Sequence, residues 1–204
     1  MLFTRSLRKA APFRLGVPKL NLPQMTELRT ERLLLRRWRD SDREPFFLVN
    51  SDPRVMQFYP KLFSRKESDE VMDRYENSFK ENGFGRFAVE RCSDRVFLGM
   101  VGILMATHPT RREAFIDIGW RLSPDYWGHG FATESAREVV RHAFEDLNLD
   151  GIVALAAEAN IRSVRVMQKL NMMHDRADDF DEPKFPIGHP ARRHVLYRLR
   201  RSER

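Results

Sequence analysis

The chain has 204 residues, 42% of them hydrophobic, and a net charge of +7, which suits one domain, or one domain with an extension, around a sizeable core. No apolar run approaches the length of a membrane span, and the single cysteine, Cys92, excludes an intrachain disulfide and suits a reducing compartment, the cytoplasm. Of the 36 basic residues, five fall in residues 1–26, where there is no acid, so the remaining 31 basic and 29 acidic residues leave a nearly neutral body with no nucleic-acid footprint.

The first segment, "MLFTRSLRKAAPFRLGVPKLNLPQ", is basic, acid-free and broken by prolines. It lacks the apolar centre of a secretory signal. Residues 1–25 read as an extension ahead of the domain, with Met25 a more ordinary beginning, or as an Arg-rich organelle-targeting presequence. The domain is expected at 26–204. "RTERLLLRRW" reads as a strand, followed by a short helix in "DSDREPFFLVNSDP" that Asp40 or Ser41 can cap. "SRKESDEVMDRYENSFKENG" carries a capping box at Ser64 and Glu67. Its apolar stripe is Val71, Met72, Tyr75 and Phe79, and Gly83 is the stop. "FGRFAVER", "RVFLGMVGILMATH" and "EAFIDIGWRL" are three strand-like runs, joined by turns at Ser93-Asp94 and 108–112 into an antiparallel meander. Cys92, in "ERCSDR", is then a bystander thiol near a turn.

In "SPDYWGHGFATESAREVVRHAF", Gly128 and Gly130 precede a helical stripe of Ala132, Ala136, Val139, Val140, Ala143, Phe144 and Leu147. A glycine turn opening a helix presents unpaired N–H groups at the positive end of the helix dipole, an anion site of the kind phosphates occupy. It can equally be a tight turn. The dinucleotide fingerprint fails, because Thr133 stands where its third glycine belongs, and no P-loop Gly-Lys-Ser/Thr occurs. "DGIVALAAEAN" then reads as a buried strand, "NIRSVRVMQKLNM" as a short helix capped by Asn160, and "RHVLYRL" as a last strand. Asp178, Asp179, Asp181 and Glu182 read as a solvated acidic loop. The six histidines show no metal-ligand spacing, so no metal is expected.

The order strand, two helices, three strands, helix, strand, helix, strand resembles the GNAT N-acetyltransferases, in particular the branch that acetylates ribosomal-protein N-termini. Two motifs carry the resemblance. One is Trp127-Gly128-His129-Gly130-Phe131-Ala132 with Thr133-Glu134. The other is Asn160 and Ser163 leading to Lys169-Leu170-Asn171-Met172. Trp127 stands at the first position of a loop that the superfamily usually opens with Gln or Arg, and Leu170-Asn171-Met172 replaces the usual Leu-Gly-Phe. The resemblance implies a mixed α/β fold with a central, mostly antiparallel sheet, flanked by helices and splayed between its fourth and fifth strands.

It also implies acetyl-coenzyme A as cosubstrate, its pyrophosphate held by backbone donors from His129 to Thr133, with Trp120, Leu122, Trp127, Gly128, Gly130, Phe131 and Ala132 around it. Tyr126 and Trp127 can instead pack under the loop, and the His129 imidazole can be solvated. Backbone N–H groups beside the splay would polarise the thioester carbonyl. Related enzymes often carry a glutamate at the place of Asp117, which makes Asp117 the candidate base, acting through water. The alternative is an ion pair with Arg121 or another cation. Asn160 and Ser163 can both be helix caps. By resemblance Asn160 contacts the pantetheine arm and Ser163 protonates the leaving thiolate. Tyr197 is another possible donor, although a strand tyrosine is more often core.

The expected activity is direct acetyl transfer to a primary amine, an N-terminal α-amine or a small-molecule amine, by a monomer or homodimer. The alternative is a non-catalytic acyl-CoA-binding module.

Overall fold

The computed structural model describes residues 27–107 and 114–203. The basic segment 1–25 and the turn at 108–113 lie outside the described residues. Nine strands form one sheet: β1 Glu27–Arg29, β2 Leu33–Arg36, β3 Arg86–Arg91, β4 Phe97–Thr107, β5 Ala114–Leu122, β6 Gly151–Ala157, β7 Met173–His174, β8 Phe180–Asp181 and β9 Arg193–Arg200. Their order is β1-β2-β3-β4-β5-β6-β9-β7, with β8 also on β9. Every pairing is antiparallel except β5 with β6. Those two parallel strands meet at one register pair, Asp117 with Val153, and so diverge as the resemblance implies.

The helices are α1 Arg43–Ser51, α2 Pro53–Met56, α3 Arg65–Asn82, α4 Phe131–Arg141 and α5 Ile161–Lys169. One face of the sheet packs on α4 through Ile116, Ile118, Leu122, Ala136 and Val139. On the other face, Phe46 of α1 and Val71, Met72 and Tyr75 of α3 close around Met100. The α3 ends are as the sequence predicts. Ser64 and Glu67 form the capping box, and Gly83 adopts a left-handed φ of 78° at the C-cap. Lys61, with the amide and hydroxyl of Ser64, holds the Glu67 carboxyl down at about 2.

Four local features differ from expectation. The first strand is a hairpin, because Thr30 Oγ1 accepts the Leu33 N–H at 3.0 Å and turns the chain between β1 and β2. Neither Asp40 nor Ser41 caps α1. Both lie in a 3-10 turn, Asp40–Asp42, that precedes it. The four residues of α2 form a second helix, too short for a periodicity signal, after the one short helix expected there; Asp52 caps the first turn and Pro53 opens it. After α4 the chain widens into a π-helical turn, His142–Asp146, which keeps Ala143 and Phe144 on the core.

The acidic loop also needs correction. Asp178 is buried and ion-paired with Arg198, and Asp179 meets His174 and Arg193. These carboxylates clamp the segment after α5 to β9. Tyr197 is core, stacked on His174 with ring centroids 4.7 Å apart. No described helix is long and apolar enough to cross a membrane.

Candidate active site

The sheet opens where β5 and β6 part, and a cavity of about 360 Å³ lies at that end. Three elements build one wall. The glycine turn enters α4 with φ of 83° at Gly128 and 82° at Gly130, left-handed values that favour glycine. A Cβ at Gly128 would meet nothing within 4 Å, and one at Gly130 only the Arg32 side chain at 3.6 Å. Backbone conformation, not crowding, therefore requires glycine here, and the space before the turn is open. Gly130 is the N-cap without a side-chain cap, and the first intrahelical bond is from the Glu134 N–H to the Gly130 carbonyl at 3.0 Å. The N–H groups ahead of Glu134 have no intrahelical partner, and Phe131, Ala132 and Thr133, which carry three of them, line the cavity. Glu134 turns away, accepting from Thr30 and from the Arg32 amide and guanidinium. Its charge is thus spent on the β1–β2 hairpin.

Trp127 anchors the turn: its indole N–H donates to the Leu122 carbonyl at 2.9 Å. The Arg162 guanidinium lies 4.7 Å above its ring. α5 adds Arg162, Arg165 and Lys169, which line the cavity with Asn160 and Ser163 at the start of the same helix. Among the described residues none of these three cations has a carboxylate partner. The Asn160 side chain accepts the Ser163 N–H at 3.2 Å, so the capping role is real, and both residues still line the cavity.

The opposite wall comes from Arg54, Gln57, Phe58 and Tyr59, in and after α2, and from Arg121 of β5. Of the residues expected around the cofactor, Trp120, Leu122, Trp127, Gly128, Gly130 and Phe131 line this space, as do Ala132, Thr133, Asn160 and Ser163. Two expected residues do not. His129 is exposed and is not among the residues lining the cavity; its ring stacks on that of Phe131, which is, with centroids 5.8 Å apart. Asp117 lies deeper, at the point where β5 and β6 part, and is ion-paired with Arg86 instead of Arg121.

Register explains the Asp117 partner. Arg86 stands opposite Gly102, and Gly102 opposite Gly119. With no side chains at these two glycines, the guanidinium lies across three strands and reaches Asp117; a Cβ at Gly119 would meet Arg86 Nη2 at 2.7 Å. Arg121, four residues along one strand, is about 13 Å away by backbone rise. Arg86 Nη1 also donates to the Tyr75 hydroxyl at 3.3 Å. Burial pushes the Asp117 carboxyl above its ordinary value against the opposing pull of Arg86. Burial pushes the Tyr75 phenol up, and the Arg86 and Arg121 guanidiniums bring it below its ordinary value.

Arg86, Arg121 and the α5 cations escaped the sequence reading as site residues. The spacing of Arg162, Arg165 and Lys169 on one short helix was the available signal. Glycines inside strands, Gly102 and Gly119, were the signal for a side chain crossing the sheet.

The model of the acetyltransferase (GNAT) domain family matches residues 32–173. The uncharacterized N-acetyltransferase YnaD of Bacillus subtilis (strain 168) is 28% identical over 160 residues, covering 78% of this chain and 88% of YnaD. A GNAT-family acetyltransferase from Bacillus anthracis has the same fold, with a TM-score of 0.72 at 23% identity, covering 87% of this chain and all of that one. So does the spermidine N-acetyltransferase from Vibrio cholerae solved in complex with CoA and spermine, with a TM-score of 0.67 at 20% identity, covering 85% of this chain and 98% of that one. The glycine turn, the parting strands and the family match agree: this chain belongs to the GNAT acetyltransferase family and is an acetyl-CoA-dependent N-acetyltransferase.

Proposed function

We propose that acetyl-coenzyme A lies with its diphosphate at the Gly128–Thr133 turn and its remaining phosphate near Arg162, Arg165 and Lys169, while a primary amine enters from the α2 side. The observation that carries this reading is the glycine-built helix start, with N–H groups that have no intrahelical partner, beside three cations lacking carboxylate partners among the described residues. Donors and charge of that kind suit phosphates.

Transfer is direct, within a ternary complex. The cosubstrate supplies an activated acetyl group as a thioester. The amine nitrogen forms a bond to the carbonyl carbon as the carbon–sulfur bond breaks. The amine loses a proton, and the departing thiolate takes one up. Asp117 receives the first proton through water. Burial, by raising its carboxyl above the usual range, suits it to that role. Arg86 orients the carboxylate. Ser163, on the cavity wall, delivers the second proton. An α-amine or another weakly basic amine fits a base of this strength. An α-amine has a pKa near 8 and lysine near 10.4, a difference of about 3 kcal/mol in the deprotonation cost at neutral pH.

Thiol release from acetyl-coenzyme A, followed across a panel of amines and N-terminal peptides, tests the reaction. Gly130→Val tests the site. It should weaken coenzyme A binding at least tenfold while the protein stays folded, because the turn can no longer hold its left-handed φ without strain. A folded variant with unchanged affinity would remove the turn from the cofactor site.

A further inference from the structure

Arg121 is only 7% exposed, and what remains of its surface opens on the cavity. Its guanidinium is charged at any working pH. Nη1 donates to Asn50 Oδ1, and Asn50 Nδ2 donates in turn to Ser68 Oγ at 2.9 Å. The guanidinium carbon sits 4.3 Å from the Tyr59 ring centroid and 5.6 Å from that of Phe63. These contacts position the head group without neutralising it. Nε is buried with no acceptor. Among the described residues no carboxylate lies within ion-pair distance of Arg121, and none lines the cavity. A buried, hydrogen-bonded and uncompensated guanidinium is costly to the protein alone. Its missing partner is an anion that enters the cavity.

Strand alternation decides which anion. Ile116, Ile118 and Leu122 face α4 and the glycine turn, so Arg121 faces the other way, toward α1 and the segment after α2. The cosubstrate's phosphates, read at the turn and α5, lie on the far wall. Arg121 therefore belongs to the acceptor side. A polyamine would bring several positive charges against it with no carboxylate to receive them. We infer that the acceptor is a primary amine that also carries a carboxylate, and that Arg121 binds this carboxylate and sets substrate specificity. This inference rests on the acetyl-transfer reading above. It assigns a substrate class with a negative group that the polyamine bound by the spermidine acetyltransferase of the same fold lacks.

The test uses the α-amino acids, each paired with its carboxamide, together with spermidine. Binding is measured to protein saturated with coenzyme A, by intrinsic tryptophan fluorescence, to which the cavity-lining Trp120 and Trp127 contribute beside Trp38, and thiol release is measured in parallel. The carboxamide amine is the less basic of each pair, so chemistry alone favours it, and a preference for the acid must come from the site. At least one acid should bind tenfold or more tightly than its carboxamide and than spermidine. Arg121→Met should abolish that preference, and Arg121→Lys should retain part of it. Coenzyme A affinity should stay within twofold in both. If Arg121→Met loses coenzyme A binding, Arg121→Gln, which keeps a donor for Asn50, replaces it on the same readout. Carboxamides or spermidine binding as well as the acids, no binding across the panel, or a preference that survives in Arg121→Met or its replacement Arg121→Gln would overturn the inference. Acid-selective binding without thiol release would leave the Arg121 assignment standing and defeat the acetyl-transfer reading. Thiol release with spermidine or carboxamides alone would do the opposite.

Discussion

Arg36 and Arg121 are both drawn into the interior, 5% and 7% exposed, yet they stand in opposite electrostatic conditions. Arg36 is saturated. Its Nη1 and Nη2 bond both oxygens of Asp42 at 2.7 and 2.8 Å, and its Nε bonds Glu90 at 2.7 Å. Burial alone would lower its pKa, and those two carboxylates more than restore it. Arg121 has one neutral amide oxygen and two aromatic rings. Burial by itself therefore does not mark a functional charge. A buried cation with its counter-charges built in ties β2 to β3 and to the start of α1. A buried cation without them is half of a binding site.

The largest expected effect falls on the saturated side. Arg36→Met strands the buried Asp42 carboxylate and leaves buried Glu90 only the exposed Arg39 and Arg95, and removing one partner of a buried ion pair costs about 3–5 kcal/mol. Urea unfolding should show a loss of that size, with residual activity scaling only with the folded fraction. A loss under about 1 kcal/mol would mean that the two arginines are energetically alike, and the contrast would fail.

Asp117 lies between these extremes, with one cation and partial access. Because burial raises its carboxyl, the folded protein keeps that proton to a higher pH than the unfolded chain does. Its contribution to stability is thus most favourable in acid and declines as pH climbs through the raised value. Turnover behaves oppositely, since only the ionised form takes a proton. Asp117→Asn should cut turnover by about 10²-fold or more near neutrality, the usual worth of a general base, with the gap closing as pH rises. Acetyl-coenzyme A binding should be unchanged. A pH–rate profile parallel to wild type and lower by less than about threefold would leave Asp117 as no more than the partner of Arg86.

Arg165, exposed on α5, should show the smallest effect. Arg165→Ala should weaken coenzyme A binding a few-fold at low salt, with most of the loss gone above about 0.5 M salt, where exposed charges are screened. A salt-independent loss would mean that Arg165 acts through packing and not through charge.

The wall proposed to hold the cosubstrate was legible in the sequence because local signals write it. Gly128 and Gly130 need left-handed φ, α4 carries a helical stripe, and Asn160 is a good cap whatever else it does. The acceptor wall was not. Arg121 reads as one alternating residue of a strand, and its significance is the absence of a carboxylate that only three-dimensional packing can reveal. Arg86 reaches Asp117 across Gly102 and Gly119, a path set by strand register. Asp178 and Asp179 looked solvated because their arginine partners lie in β9, well apart in sequence, and only the edge strands β7 to β9 bring them together. Acids that pair with distant basic residues look the same in sequence as acids that face water.

Arg121 is an uncompensated charge kept for a ligand, and the unfolding free energy of Arg121→Met tests this most directly. Removing the charge takes away one hydrogen bond to Asn50, worth about 1.5–3 kcal/mol with a charged donor, and offsets that loss by relieving an unpaired buried cation. Measured in urea beside wild type, without ligand, the variant should fall within about 1 kcal/mol of wild type or exceed it. A loss of about 3 kcal/mol or more, matching that expected of Arg36→Met, would show that Arg121 already has its partners within the fold and would contradict the claim.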